Sequence, residues 1–403
     1  MNKLTGTKRT QLALLLGSLG LLGPFTIDMY LPSFPTIVEE YHTTASLVQI
    51  SLTTSLLGLG LGQLIIGPMS DVQGRRKPLM IFLVLYLLSS IVCALSPTIY
   101  VFIGARFIQG FAAAGGLVIS RAVVRDLYSG KELTKFFALL MLVGNLGPIV
   151  APIAGGGVLT FTNWQGVFIA LAGLGLILFL FVSGKLEETL DVDKRVPSNL
   201  MQVLRNFASL LKDRQFTGYA LTQGFIIAGI FAYVSGIPFV YQNIYGVSAQ
   251  QFSLLFGING IALILGSQLV GRYTDVISDK VFLKAGLFIS TISGALLLAA
   301  LIVKAPLFAV VVPIFFLVSS IGIISTSSFS LAMESQGHIA GSASALLGLL
   351  PFVLGSLTAP LVGIGGEHTA VPMGIVILSA SLLAMISYYG LVQRGSFKTV
   401  SAK

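Results

Sequence analysis

Long apolar runs alternate with short polar breaks along the chain. Six runs fall at about residues 11–34, 46–69, 78–96, 98–121, 136–159 and 164–184. Six more fall at about 216–239, 250–271, 281–303, 307–332, 341–363 and 371–392. Each is close to the ~20 residues with which a helix crosses ~30 Å of hydrocarbon. A helix also lets such a run satisfy its own backbone polar groups in lipid. The pattern predicts an all-α membrane protein with twelve transmembrane helices. One long polar segment, 185–213, divides them into two six-helix bundles, 1–184 and 214–403. Inside that segment Pro197-Ser198 reads as a helix start, and Leu200, Val203, Leu204, Phe207, Leu210 and Leu211 recur at helical spacing, with Arg205 and Lys212 off the stripe. This predicts an amphipathic helix lying on the membrane surface, with a plain solvated linker as the alternative.

Composition supports the same class. Of 403 residues, 55% are hydrophobic and 10% charged, against about 25% charged in a soluble domain. The first run is long and carries Asp28, so it reads as a span and not as a cleaved signal peptide. The single cysteine, Cys93, gives no disulfide framework, and His42, His338 and His368 fall in separate predicted loops, so no metal site is expected. No Walker-type Gly-Lys-Ser/Thr sequence is present, so ATP is not implied. No cofactor is expected.

The formal charge of +9 first suggests a nucleic-acid partner, but its distribution argues against one. An even number of spans puts both termini on one side. With that side cytoplasmic, Lys3, Lys8, Arg9, Arg75, Arg76, Lys77, Arg121, Arg125, Lys131, Lys135, the basic residues of 185–214, Arg272, Lys280, Lys284 and the basic tail all face it. Lys304 alone faces outward, and Arg106 lies within a span. The positive-inside rule then accounts for the cations. Attraction to anionic lipid adds to it. The reading is a multi-pass protein of the cell membrane with the lipid bilayer as its surroundings, both termini cytoplasmic and no nucleic-acid partner.

Between the second and third runs lies Gly67-Pro68-Met69-Ser70-Asp71-Val72-Gln73-Gly74-Arg75-Arg76-Lys77, which packs four charges into its last seven residues. Part of it recurs. Gly62, Gly67 and Asp71 return as Gly266, Gly271 and Asp275, at a constant offset of 204. In the second copy Ser278 stands for Gly74 and Asp279 for Arg75. Two six-span halves with a parallel repeat point to a transporter with its site between them.

Two charges lie inside the runs. A carboxylate within a span is costly and by default marks a pathway or a proton site. At ~1.5 Å per residue, Asp28 lies about 9 Å and Arg106 about 12 Å from the outer ends of their spans. They share a depth and are opposite in sign. A cation changes how readily a neighbouring carboxyl holds its proton, so the pair suits proton coupling. A static buried ion pair, or an Asp28 that caps a kinked helix, fits the same residues. Tyr30, Gln109, Asn145, Tyr233, Tyr241 and Asn259 are polar or aromatic positions in or near spans. They suit a pocket for flat, partly apolar compounds, or equally packing. A membrane enzyme would need a cluster of His, Asp or Cys at one face. The spans offer only Asp28, so no catalytic residue is expected.

These residues resemble the major facilitator superfamily. Gly67, Asp71, Gly74, Arg75, Arg76 and Lys77 match its signature between spans 2 and 3, and Arg106, Gln109, Gly110 and Ala114 resemble its fourth-span motif. Gly144, Gly147, Pro148, Pro152, Gly155 and Gly156 resemble the fifth-span motif of drug:proton antiporters. Thr26-Ile27-Asp28-Met29-Tyr30-Leu31-Pro32 and Gly337-His338-Ile339-Ala340-Gly341 are similar to the bicyclomycin/chloramphenicol resistance (Bcr/CflA) branch. The resemblance implies that spans 1 and 4 line a central cavity, with Asp28 as proton carrier tuned by Arg106. It implies a latch in which Asp71 meets the start of span 11 near Gly341-Ser342, while Arg75 reaches Asp71 or the end of span 4. A positive-inside anchor is the plainer account of that loop. A weaker latch is expected at Asp275. The span 5 motif is tied to exchange without leak, although a generic kink accounts for it nearly as well. The function implied is proton-coupled export of small, partly apolar compounds by a monomer that alternates access and draws on the proton gradient. A proton-driven exporter of an endogenous metabolite, such as a metallophore or sugar, is the alternative.

Overall fold

A computed structural model describes residues 7–195, 200–334, 336, 339–367 and 369–393; within these, the side chains of 7–11, 131, 134, 135, 138, 141, 142, 145, 194, 200, 202–204 and 340 are not described. The expected helix start at Pro197-Ser198, and Gly337, His338 and His368, lie outside the described residues, as does the Asn145 side chain.

The first half of the chain forms α1 (Thr7–Asp28), α2 (Phe34–Glu40), α3 (Ala45–Gln73), α4 (Arg76–Ala94), α5 (Ile99–Leu127), α6 (Gly130–Val158) and α7 (Trp164–Lys185). The second half forms α8 (Leu200–Lys212), α9 (Arg214–Phe239), α10 (Ala249–Tyr273), α11 (Asp279–Ile302), α12 (Leu307–Met333), α13 (Ala340–Val362) and α14 (Val371–Ser387). Among the described residues, 11 helices are long and apolar enough to cross a membrane. The 29-residue α6 completes the set, with Leu146–Val158 as its described apolar part. This is the all-α membrane fold that the apolar runs predict. The first span is less regular than a single helix: α1 stops at Asp28, a 3-10 turn spans Leu31–Ser33, and α2 carries the chain to Glu40. Pro32 and Pro35 each lack a backbone N–H and stand at the starts of these two pieces, where a helix can spare one.

The chain forms two compact units, Met1–Thr43 with Thr54–Asn199 and Thr44–Thr53 with Leu200–Lys403. Within the first, α1 packs on α5 and α6, and α4 packs on α5 and α7. Within the second, α9 packs on α12 and α13, and α11 packs on α12 and α14. The pairings correspond one to one, so the repeat seen as Gly62 and Gly266 is also a repeat of packing. A methyl group on Gly62 would lie 2.7 Å from the Phe111 carbonyl of α5. One on Gly266 would collide with the Ser319 carbonyl of α12. Both are places where small residues let two helices approach closely.

The first turns of α3 belong to the second unit. There Gln49 Nε2 donates to the Ser235 carbonyl at 3.1 Å. The amphipathic α8 turns part of its expected stripe toward protein. Its Phe207 and Leu210 are buried, it packs on α9 and α13, and Asn206 Nδ2 donates to Ser342 Oγ at 3.0 Å. Protein covers these two apolar positions. Leu211 of the expected stripe is left exposed.

Candidate functional site

Asp28 ends α1 and is 6% exposed. Pro24, inside α1 four residues before it, has no N–H to give to the helix, and beyond it the chain passes into the 3-10 turn after Tyr30. The α6 glycines meet α1 here. A methyl on Gly147 would come within 2.5 Å of Pro24 Cβ, and one on Gly155 would collide with the Met29 carbonyl. Gly147 and Gly155 therefore bracket the stretch that carries Asp28. Pro148 and Pro152 lie inside α6, and Gly156 is buried. Gly144 has open space where a side chain would project.

Arg106 of α5 is fully buried. A guanidinium in such a place must find acceptors. Its Nη1 donates to Gln109 Oε1, and its Nη2 donates to the Thr26 carbonyl at 2.8 Å. The carbon of the guanidinium lies 4.1 Å from the centre of the Tyr30 ring, a geometry in which the ring's negative face attracts the cation, the more so away from water. Gln109 Nε2 donates to Ser90 Oγ at 2.8 Å, Ser90 Oγ donates to the Tyr86 carbonyl at 2.7 Å, and the Tyr86 and Thr26 hydroxyls lie 2.9 Å apart. The bonds close a ring through α1, α4 and α5. Among the described residues no ion pair joins Arg106 to Asp28.

The expected pocket residues fall into separate groups. Gln109 belongs to the hydrogen-bonded ring of Arg106, Tyr30 lies with its face against the Arg106 guanidinium, and both are fully buried. In the second unit Asn259 Nδ2 donates to the Tyr233 hydroxyl at 2.8 Å. Tyr233 stacks on Phe256, with centroids 5.6 Å apart. Tyr241 stands edge-on to Phe252. All three are buried. Apart from Lys284, in the second turn of α11, the helical spans of this unit carry charged residues only at their ends.

The loop between α3 and α4 is built around Arg75, which is 2% exposed. Its Nη1 donates to Asp71 Oδ1 at 2.6 Å and to Ser70 Oγ at 2.8 Å. Its Nε and Nη2 reach both oxygens of Asp126, at 2.8 and 3.3 Å. Arg75 therefore bridges Asp71 and the last turn of α5, the two reaches the resemblance offered. Such a fork between two carboxylates is a strong, oriented contact. Gly67 lies within α3, before the turn. The turn itself is made at Gly74, which has φ +91, and a methyl there would sit 2.5 Å from Glu188 Oε2. Arg76 Nη2 donates to the Ser183 carbonyl at the end of α7, at 2.7 Å. In the second copy, Asp279 accepts from Thr274 Oγ1 at 2.9 Å, and among the described residues Asp275 has no ion pair.

The sequence did not single out Asp126 and Glu188 for a role. Asp126 was visible only as one charge among several after the fourth run. Glu188 stands in the linker, with no local pattern to distinguish it from Glu187.

A family model described as Major Facilitator Superfamily matches residues 16–360. The chain belongs to the major facilitator superfamily. This is a family of membrane transporters, so the protein is a multi-pass membrane transporter and not an enzyme. The chain is 52% identical over 391 residues to the "Uncharacterized MFS-type transporter YdgK" of Bacillus subtilis, covering 96% of this chain and 97% of the relative. It is 32% identical to the "Bicyclomycin resistance protein homolog" of Haemophilus influenzae, covering 94% and 96%. It is 30% identical to the "Chloramphenicol resistance protein" of Pseudomonas aeruginosa, covering 92% and 88%. Among solved structures, a bacterial homologue of the human lysosomal transporter Spinster shares the fold, with TM-score 0.77 and 13% identity over 98% of both chains. The superfamily and branch expected from the loop, span 5 and span 1 residues are thus the ones found.

Proposed function

We propose that this superfamily member is a drug:proton antiporter, exporting small, partly apolar compounds by alternating access. Asp28 carries the proton, and Arg106 sets how readily it does so. The observation that carries the reading is the buried carboxylate of Asp28, two residues from the carbonyl that holds a buried guanidinium, with no ion pair between the two charges. Buried ionisable groups in a transporter's spans are costly and tend to mark the ion pathway. Arg106 is held by neutral partners, so Asp28 can gain or lose a proton without dismantling the cation's site. The relatives named for bicyclomycin and chloramphenicol resistance support export of compounds of that kind. Both termini face the cytoplasm, where the basic loops lie. Each proton moved inward supplies ~2.3 kcal/mol per 100 mV, plus the pH difference. No other cofactor takes part, and the unit of transport is the monomer.

The test is uptake of chloramphenicol, bicyclomycin and a wider compound panel into inverted vesicles, with and without an uncoupler. Uptake that collapses with uncoupler supports the reading. Uptake indifferent to the uncoupler, or no uptake of any compound, sinks it.

A further inference from the structure

The basic loop poses an electrostatic problem. A helix N-terminus carries partial positive charge and presents unpaired N–H groups. The start of α4 adds Arg75, Arg76 and Lys77 to that positive end, its first turn has no acidic residue, and Arg75 gives it no side-chain cap. The missing anion comes from more than a hundred residues away. Glu188, three residues beyond the end of α7, accepts from the Arg75 N–H at 2.8 Å through Oε1 and from the Arg76 N–H at 3.1 Å through Oε2. Oε1 also accepts from the N–H groups of Thr189 and Leu190, each at 3.0 Å, which holds the carboxylate in its own tight turn. The next residue continues the connection, since Thr189 Oγ1 donates to Asp126 Oδ2 at 3.2 Å. Asp126 is the carboxylate that the Arg75 side chain grips. Glu188 therefore holds the backbone of Arg75, while its neighbour shares the partner of the Arg75 side chain. The space for this carboxylate exists because residue 74 has no side chain.

We propose that Glu188 is a positioning residue for the α3–α4 loop. It caps α4 from the linker and holds Arg75 where its guanidinium meets Asp71 and Asp126, and the transport cycle depends on that placement. The proposal rests on the latch that the resemblance implies for this loop, and its first readout is independent of that latch.

The full-length protein is compared with Glu188→Gln, Glu188→Asp and, as a control, the neighbouring Glu187→Gln. Hydrogen exchange of peptides covering residues 75–80 reads the anchor. Exchange should quicken about tenfold in Glu188→Gln, in line with losing charged acceptors for two amides. It should recover in part in Glu188→Asp and stay unchanged in Glu187→Gln. Transport in inverted vesicles, using a panel compound that the wild type moves, reads the role in the cycle. The maximal rate per folded molecule should fall about fivefold, with KM within about twofold, because the residue touches no substrate. Unchanged exchange in Glu188→Gln overturns the anchor. Faster exchange with an unchanged rate reduces Glu188 to a helix cap and overturns the positioning role. A wild type that moves nothing in the panel sinks the export reading instead, and leaves the exchange result to judge the anchor.

Discussion

Arg106 Nη2 donates to the Thr26 carbonyl at 2.8 Å, two residues before Asp28 on the same helix. The buried cation is thus held on α1 by a neutral group, beside a carboxylate with which it forms no ion pair. Its fork needs two acceptors at once, Gln109 Oε1 and the Thr26 carbonyl. Lysine has no such fork. Arg106→Lys should lower stability by about 1–3 kcal/mol through a buried acceptor left unpaired, read as a lower thermal midpoint in detergent. Transport should fall with it.

Asp28→Asn keeps the size of the side chain and removes its proton chemistry. Compound exchange down a compound gradient should persist, while the response to an imposed pH gradient should vanish. A pH-sensitive dye inside proteoliposomes measures the second quantity. Full proton-driven export by this variant would remove Asp28 from the mechanism.

Gly155 and Gly144 belong to one motif but face different surroundings. Gly155→Ala would press a methyl into the Met29 carbonyl and should cost about 1–3 kcal/mol. Gly144→Ala meets open space and should change stability by less than about 0.5 kcal/mol. Thermal unfolding of the two variants side by side checks the contrast.

Arg75 and Asp126 form a nearly enclosed pair, with side chains 3% and 10% exposed. Asp126→Asn and Arg75→Lys should not add. A double-mutant cycle on unfolding should return a coupling of about 1–3 kcal/mol. A value near zero would mean that the contact contributes nothing to holding the loop.

The linker carboxylate also gives a pH signature. Burial alone would push Glu188 up, but donation from the backbone N–H groups of Arg75, Leu190, Arg76 and Thr189 outweighs it and holds the group below its ordinary value of 4.5. A carboxylate with a folded value below its unfolded one stabilises above the unfolded value and loses that contribution as pH falls through the folded one. The thermal midpoint of the wild type should therefore drop as pH goes from about 5 to about 3. Glu188→Gln should lack that share of the drop.

The spans were legible because lipid imposes a length and a composition on each of them. The loop was legible because its charges interrupt apolar sequence, and the repeat because close helix approach keeps its glycines at Gly62 and Gly266. The interior of α1 was less so. A run of apolar residues does not say where its helix breaks, and the stop at Asp28 depends on the turn that follows and on the α6 glycines beside it. The linker helix showed its stripe but not what covers Phe207 and Leu210, since lipid and protein ask for the same side chains.

By itself, then, the sequence determined the membrane class, the division into halves, and which charges stand inside the spans, because each follows from the local cost of putting a residue in hydrocarbon. Tertiary structure decided the partners. That Arg106 is held on α1 by the Thr26 carbonyl, and that Glu188 caps a helix 113 positions away from it at Arg75, depends on which helix ends and backbone carbonyls the packing brings together. Hydrogen bonds act over about 3 Å, and spacing along the chain carries no information about such meetings.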